Sequence, residues 1–257
     1  MIRWAIGSIL MTFAALSACA PGNAAEIEHN TDYSIALSGI PLARASFNTL
    51  MSDKIYSISG KLSSAGLADI LSHTQGSTTV SGVVGRNKLQ ATHYSVKYQS
   101  GKKGRSIDVR YRNGNVTSST LEPARAEPVN WVPVSGADKR GVLDPISGLI
   151  FPATAKVCPQ TLPIFDGESR LDLKLSHKGT KPFKTKGFAG DAIVCGIKFV
   201  PKSGYRKGRD DVDYLRKLDT MEIWFAKADA VNVYAPVYVR IPTKLGPVTI
   251  SATRFGG

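Results

Sequence analysis

Asp166, Glu168 and Asp172 stand close together in the chain. A pair of carboxylic acids is the minimum equipment for cutting a glycosidic bond, one acid protonating the leaving oxygen while the other activates water or attacks directly. Two features of the sequence compete with that chemistry. Asp166 is followed by Gly167, a turn signal, and Arg170 and Asp172 fall on one face of the strand that follows, where they can neutralise each other. The acids therefore read first as turn and ion-pair residues and only second as a hydrolase site. The 4 histidines, His29, His73, His93 and His177, are scattered without a second histidine, cysteine or carboxylate at metal-ligand spacing, so they read as surface residues. Neither a Gly-x-Ser-x-Gly elbow nor a Ser-x-x-Lys motif with its partners is present. No catalytic residue, metal or other cofactor is expected.

The cysteines and the positive charge point in another direction. Of the 3 cysteines, Cys19 lies near the amino terminus and Cys158 and Cys195 are left as a pair. They are far apart in sequence rather than in the Cys-x-x-Cys arrangement that tunes thiol reactivity, so in an oxidising compartment they read as a structural disulfide. Lysine and arginine total 33 against 20 acids, a net charge of +13. Basic clusters lie at Lys102, Lys103 and Arg105, across 178–186, and at Lys202, Arg206, Lys207 and Arg209, with Phe183 and Tyr205 interleaved. Such clusters are either solvated hairpin tips or a rim that faces an anionic surface.

The amino terminus says which surface. Met1, Ile2 and Arg3 precede an uncharged run from Trp4 to Leu16, the pattern of a signal peptide and too short for a comfortable membrane span. Two cut sites fit. Leu16-Ser17-Ala18-Cys19 matches a lipobox, which ends the signal at residue 18 and anchors Cys19 to the outer membrane, whereas Asn23-Ala24-Ala25 suits ordinary signal peptidase and ends it at residue 25. Residues 26–257 then form one envelope domain in the periplasm, carrying 32 basic groups against 20 acids after Arg3 is removed. Export puts nucleic acid out of reach and leaves lipid headgroups, lipopolysaccharide phosphates and cell-wall carboxylates as the available polyanions. The sequence is silent on oligomeric state.

The elements that must position these residues are mostly strands. From Asp32, Tyr33, Ile35 and Leu37 alternate with Ser34, Ala36 and Ser38 at the strand period. Further strands are predicted over 42–50, 54–60, 77–84, 90–99, 106–111, 116–121, 161–165, 170–176, 192–200, 221–227, 236–241 and 248–254. Asn113-Gly114 favours a tight type I′ hairpin, and three prolines, Pro123, Pro128 and Pro133, make 122–133 a loop. Three short helices are predicted. One spans 63–72, capped by Ser63 or Ser64, with Leu67, Ile70 and Leu71 on one side. The second starts at Asp144 as N-cap with Pro145 in first position and carries Ile146, Leu149 and Ile150 as an apolar stripe, ending at Pro152. The third covers 211–218. The whole reads as a mainly β domain: a single antiparallel curled sheet, half-barrel or spiral barrel with two or three short helices.

Three segments together carry a family likeness. Asp144 to Leu149, then Cys158 with Phe165-Asp166-Gly167-Glu168-Ser169-Arg170-Leu171-Asp172-Leu173, then Gly187 to Gly190 leading to Cys195 and the run Val200 to Arg206, resemble the Gram-negative family known as domain of unknown function 3108. Leu171 departs from the tyrosine common after the motif arginine. The resemblance extends to the closing run Val237 to Arg254 and implies a periplasmic curled sheet similar to the half-barrels of the lipoprotein carriers LolA and LolB, and more loosely to the spiral barrel of EipB. It names no catalytic residue. The leading expectation is a non-enzymatic envelope protein whose groove holds a lipid or lipidated partner against Leu67, Ile70 and Leu71 or Ile146, Leu149 and Ile150. The rivals are a scaffold contacting peptidoglycan or envelope proteins, and a hydrolase using Asp166, Glu168 or Asp172.

Overall fold

The computed structural model describes residues 26–66, 68–69, 73–124 and 126–256. The signal segment with Cys19, and Leu67, Ile70 and Leu71 of the first expected helix, lie outside them. Strands β1 (Ile27–Leu37), β2 (Ile40–Met51), β3 (Ile55–Ser64), β4 (Thr74–Val84), β5 (Leu89–Ser100), β6 (Lys103–Arg112) and β7 (Asn115–Glu122) form a continuous antiparallel meander. After β8 (Trp131–Val132) and β9 (Phe151–Pro152) come β10 (Gln160–Phe165), β11 (Arg170–Thr185), β12 (Phe188–Ser203), β13 (Tyr205–Arg206), helix α1 (Asp210–Lys217), β14 (Met221–Ala228), β15 (Val233–Thr243) and β16 (Gly246–Phe255). β16 pairs with β1, so the two halves merge into one 14-stranded sheet running from β10 to β7, with β9 attached to β15. Among the described residues no helix is long and apolar enough to cross a membrane.

The sheet curls until its two edges nearly meet, and a loop stitches the gap. The Val116 amide donates to the Lys139 carbonyl at 2.9 Å and the Val142 amide to Gly114 at 2.7 Å. On the other side of the same segment, the Leu143 amide donates to Pro163 at 2.8 Å and the Phe165 amide to Leu143 at 2.9 Å. Residues 139–143 thus satisfy polar groups of both edge strands that water or another chain would otherwise take. The turn after β10 completes the seam. Gly167, at φ +103°, lies so close to β6 that an added Cβ would stand 2.2 Å from Ile107 Cγ2, and Ser119 on β7 donates to its carbonyl at 2.8 Å.

One opening is covered by a hairpin. Both β11 and β12 are 16 residues long, much longer than the strands read from sequence. Beyond Leu175, the last partner of β10, β11 has a free edge, which is where Pro182 and the lysines of 178–186 are tolerated. The tip folds back on β16, with the Phe255 amide donating to Lys186 at 2.8 Å and Phe188 meeting Phe255 edge to face at 5.5 Å.

The first two expected helices differ from their sequence readings. β3 runs on through Ser64, so Ser63 and Ser64 finish a strand instead of capping a helix, because both pair with β2, while Ala68 and Asp69 within the expected span are helical. The Asp144 segment makes only a 3-10 turn over Ser147–Leu149, since Phe151 and Pro152 are already committed to pairing with β15 and too few residues remain for an α-helix to propagate. α1 forms where expected. Cys158 and Cys195 are joined, with Cα atoms 6.2 Å apart, tying the segment before β10 to the middle of β12.

Candidate functional site

Inside the curl the side chains do not fill the space. A cavity of about 310 Å³ lies between the sheet and the Asp144 segment. Phe47 and Ile58 line it from β2 and β3, Val233 and Ala235 from β15, and Ile146, Leu149 and Ile150 from the turn that covers it. A second space of about 380 Å³ adjoins it, lined by Gly60, Thr78 and Val96, and Ala45, Phe47, Leu62 and Ile146 border both. The arrangement follows from strand alternation. Ala45 and Leu62 face each other across the β2–β3 ladder, and Leu62 faces Gly76 across β3–β4, so this inward row has an alanine and a glycine on either side of its leucine and leaves room. A larger depression of about 850 Å³, of mixed polar and apolar lining, is bordered by Arg44, Lys61 and Lys97 together with Ala45, Leu62 and Tyr98, which also border the apolar spaces.

The wall made by the Asp144 segment is locked by a buried hydrogen-bond chain. Asp144 Oδ1 accepts from the Ile146 and Ser147 amides at 2.9 and 2.8 Å, Ser147 Oγ donates to Asp144 Oδ2, and Tyr56 donates to Ser147 Oγ at 2.8 Å. Burial raises the Asp144 carboxyl above the usual carboxylate range, while the bonds from Ser147 and Ile146 act the other way. Tyr56, Tyr94 and Tyr111 surround this chain. Burial first, then the nearby carboxylates, pushes each phenol well above its ordinary value and keeps it a donor. Asp144 and Ser147 are both inaccessible, so the chain is a brace for Ile146 and Leu149 and not a nucleophile with its base.

The three acids of the hydrolase reading do not converge on a cleft as free carboxylates. Asp166 is raised by burial and accepts from the Glu168 and Ser169 amides at 2.9 and 2.6 Å within its own turn. Glu168 pairs with Arg105 at 2.8 Å, and Asp172 sits between Arg170 at 2.7 Å and Lys202 at 3.3 Å. Each holds the seam or a strand face together.

The basic residues divide. Lys102 and Lys103 border a cleft of about 540 Å³ with Tyr98, which also borders the second apolar space. Arg105 faces that cleft too, but its side chain is largely buried against Glu168, and Lys202 and Arg209 are paired with Asp172 and Asp211. Arg206 and Arg209 border a separate cleft of about 710 Å³ with Trp131, while Lys207 lies in the exposed turn beside it. The predicted anion-facing set is thus not one rim: Lys102 and Lys103 lie beside the apolar interior, and the 202–209 group lies on another face.

Residues that sequence reading missed belong to the start of β1. The strand begins at Ile27, so His29, Thr31, Tyr33 and Ile35 share the inward face and all border the cavity. His29 is 6 % exposed and packs edge to face on Phe255 at 4.7 Å, which corrects its reading as a surface residue. Thr49 stands opposite His29 across the ladder. The alternation of 29, 31, 33 and 35 is visible in the sequence once the strand is started early enough. His73 pairs with Asp69 and His93 with Asp108, and among the described residues no group of His, Cys, Asp and Glu is placed to hold a metal.

A family model described as a protein of unknown function, DUF3108, matches residues 32–253, and the chain belongs to that family. No curated protein matches it. Among solved structures, the chain is similar to the crystal structure described as a beta-barrel-like protein of domain of unknown function DUF1849 from Brucella abortus. The TM-score is 0.52 at 9% identity, covering 91% of this chain and 98% of that one. At that identity the likeness is one of fold.

Proposed function

We propose that this member of DUF3108 is a non-enzymatic cell-envelope protein that holds the apolar chain of a lipid or lipidated partner inside its curled sheet. The observation that carries the reading is the cavity of about 310 Å³ between the sheet and Ile146, Leu149 and Ile150, continuous in lining with the neighbouring space of about 380 Å³. Protein interiors ordinarily pack to crystal-like density, and pockets that bind small molecules span roughly 300 to 1,000 Å³ with mainly apolar walls. Burying an acyl chain in such a space gains about 0.8 kcal/mol per methylene. The envelope location rests on the amino-terminal signal pattern, the disulfide and the basic charge. The cleft that Lys102 and Lys103 border with Tyr98 supports contact with an anionic membrane surface.

The test is displacement of a fluorescent fatty acid from the purified, delipidated protein, compared with Ala45→Phe. Ala45 borders both apolar spaces, so a phenyl ring there fills the cavity without removing a hydrogen bond. Saturable binding by the wild type and its loss in a variant with an unchanged circular dichroism spectrum is the expected outcome. Equal binding by both proteins, or none by either, overturns the reading.

A further inference from the structure

The cavity is apolar along most of its length and polar at one end. His29, Thr31 and Thr49 form that end, and all three are buried. It lies beneath the returning hairpin, where Phe255 holds the His29 ring on one side and Phe188 packs on Phe255. Along β1 the lining then turns apolar through Tyr33 to Ile35, about 20 Å of strand from His29. Tyr33 brings no free hydroxyl to the cavity, because its hydroxyl donates to the Pro236 carbonyl at 2.6 Å.

His29 is the member of this group that needs an explanation. Its Nε2 is buried with no hydrogen-bond partner among the described residues, whereas buried polar atoms are nearly always paired. A purely structural role at this position would be filled at lower cost by phenylalanine or leucine. Burial holds the imidazole below its ordinary pKa, so near neutral pH it is uncharged and offers one donor and one acceptor.

We infer that the cavity takes a single-chain amphiphile head inward, with an uncharged hydrogen-bonding head, a hydroxyl or a protonated carboxyl, held by His29, Thr31 and Thr49. This rests on the proposed function and narrows it to a ligand class. A charged phosphate head at this end would be desolvated beside a neutral imidazole, with no lysine or arginine among the described residues that line the cavity, a penalty that an uncharged head on the same chain avoids. The size agrees. A methylene group takes roughly the volume of a water molecule, about 30 Å³, so a space of about 310 Å³ holds a chain of about ten carbons.

The experiment measures binding of 1-decanol and of decyl phosphate to the full-length mature protein at neutral pH, by displacement of the same fluorescent fatty acid. Wild type, His29→Phe and Thr49→Val are compared, with folding of each checked by circular dichroism. Wild type is expected to bind decanol at least tenfold more tightly than decyl phosphate. His29→Phe is expected to lose about tenfold in decanol affinity, the equivalent of one hydrogen bond to a buried partner, and Thr49→Val about threefold. If His29→Phe does not fold, Thr49→Val, which is nearly isosteric, decides alone. Decanol affinity unchanged in the folded variants, or decyl phosphate binding as tightly as decanol, overturns the inference while leaving a lipid cavity in place. Absence of binding by wild type to either compound and to the fluorescent fatty acid overturns the proposed function with it.

Discussion

Removing the Asp144 carboxylate tests whether the cavity wall is braced as described. In Asp144→Ala the Ile146 and Ser147 amides and the Ser147 hydroxyl all lose their acceptor, at a place where water does not enter. A buried donor left unpaired costs about 1–3 kcal/mol, and Ser147 can turn its hydroxyl elsewhere, so the two amides set the scale at about 2–6 kcal/mol. That is a large part of the total stability of about 5–15 kcal/mol expected for a domain. Asp144→Asn keeps an oxygen for both amides and removes the buried charge, so it is expected within about 1 kcal/mol of wild type at neutral pH. The two differ in pH dependence. Because burial raises the carboxyl in the folded state, the folded protein keeps a proton that the unfolded chain has lost once the pH passes about 4. The stabilisation is therefore fully present below that pH, falls by up to about 1.4 kcal/mol per pH unit between that pH and the raised native value, and levels off above it. The Asn variant lacks this slope. Urea unfolding followed by tryptophan fluorescence between pH 4 and 8 should show wild type losing stability relative to Asp144→Asn as the pH increases. A flat difference, or an Ala variant within 1 kcal/mol of wild type, would refute the brace.

Two further predictions concern the seam and the crosslink. Gly167→Ala should destabilise by at least about 2 kcal/mol and raise protease sensitivity at the β7 edge, because the added carbon meets Ile107 Cγ2 at 2.2 Å on a backbone with φ +103°. A proteolysis pattern like wild type would show that the turn does not hold the edges together. The Cys158→Ser, Cys195→Ser double variant should lose about 4 kcal/mol in urea, the chain-entropy value for a loop of this size, and an unreduced digest of wild type should give one linked peptide pair. Free thiols at both positions in protein purified without reductant would contradict this.

The sequence carried the local signals well and the distant ones poorly. Asn113 and Gly114 both adopt positive φ in the expected hairpin, and most strands begin and end within a few residues of their turn signals. The extent of β11 was hidden because lysines, Gly179 and Pro182 interrupt the alternation. Those residues suit an edge strand, and β11 becomes an edge only because β10 is short. The stitch by 139–143 joins segments far apart in the chain and leaves no periodic trace. For the candidate site, Ile146, Leu149 and Ile150 were readable as an apolar stripe attached to an Asp-Pro start, although the turn is 3-10 and not α-helical. The polar end was not readable, since an isolated histidine before an expected strand resembles any exposed histidine until Phe255 and Thr49 are brought to it by pairing at both edges of β1.

Native mass spectrometry of the protein purified gently from its source cells tests the central claim most directly. The account predicts a retained adduct with the mass of one single-chain lipid, present in wild type and absent from Ala45→Phe. Bare wild-type protein that also fails to take up added decanol, with its cavity intact, would contradict it.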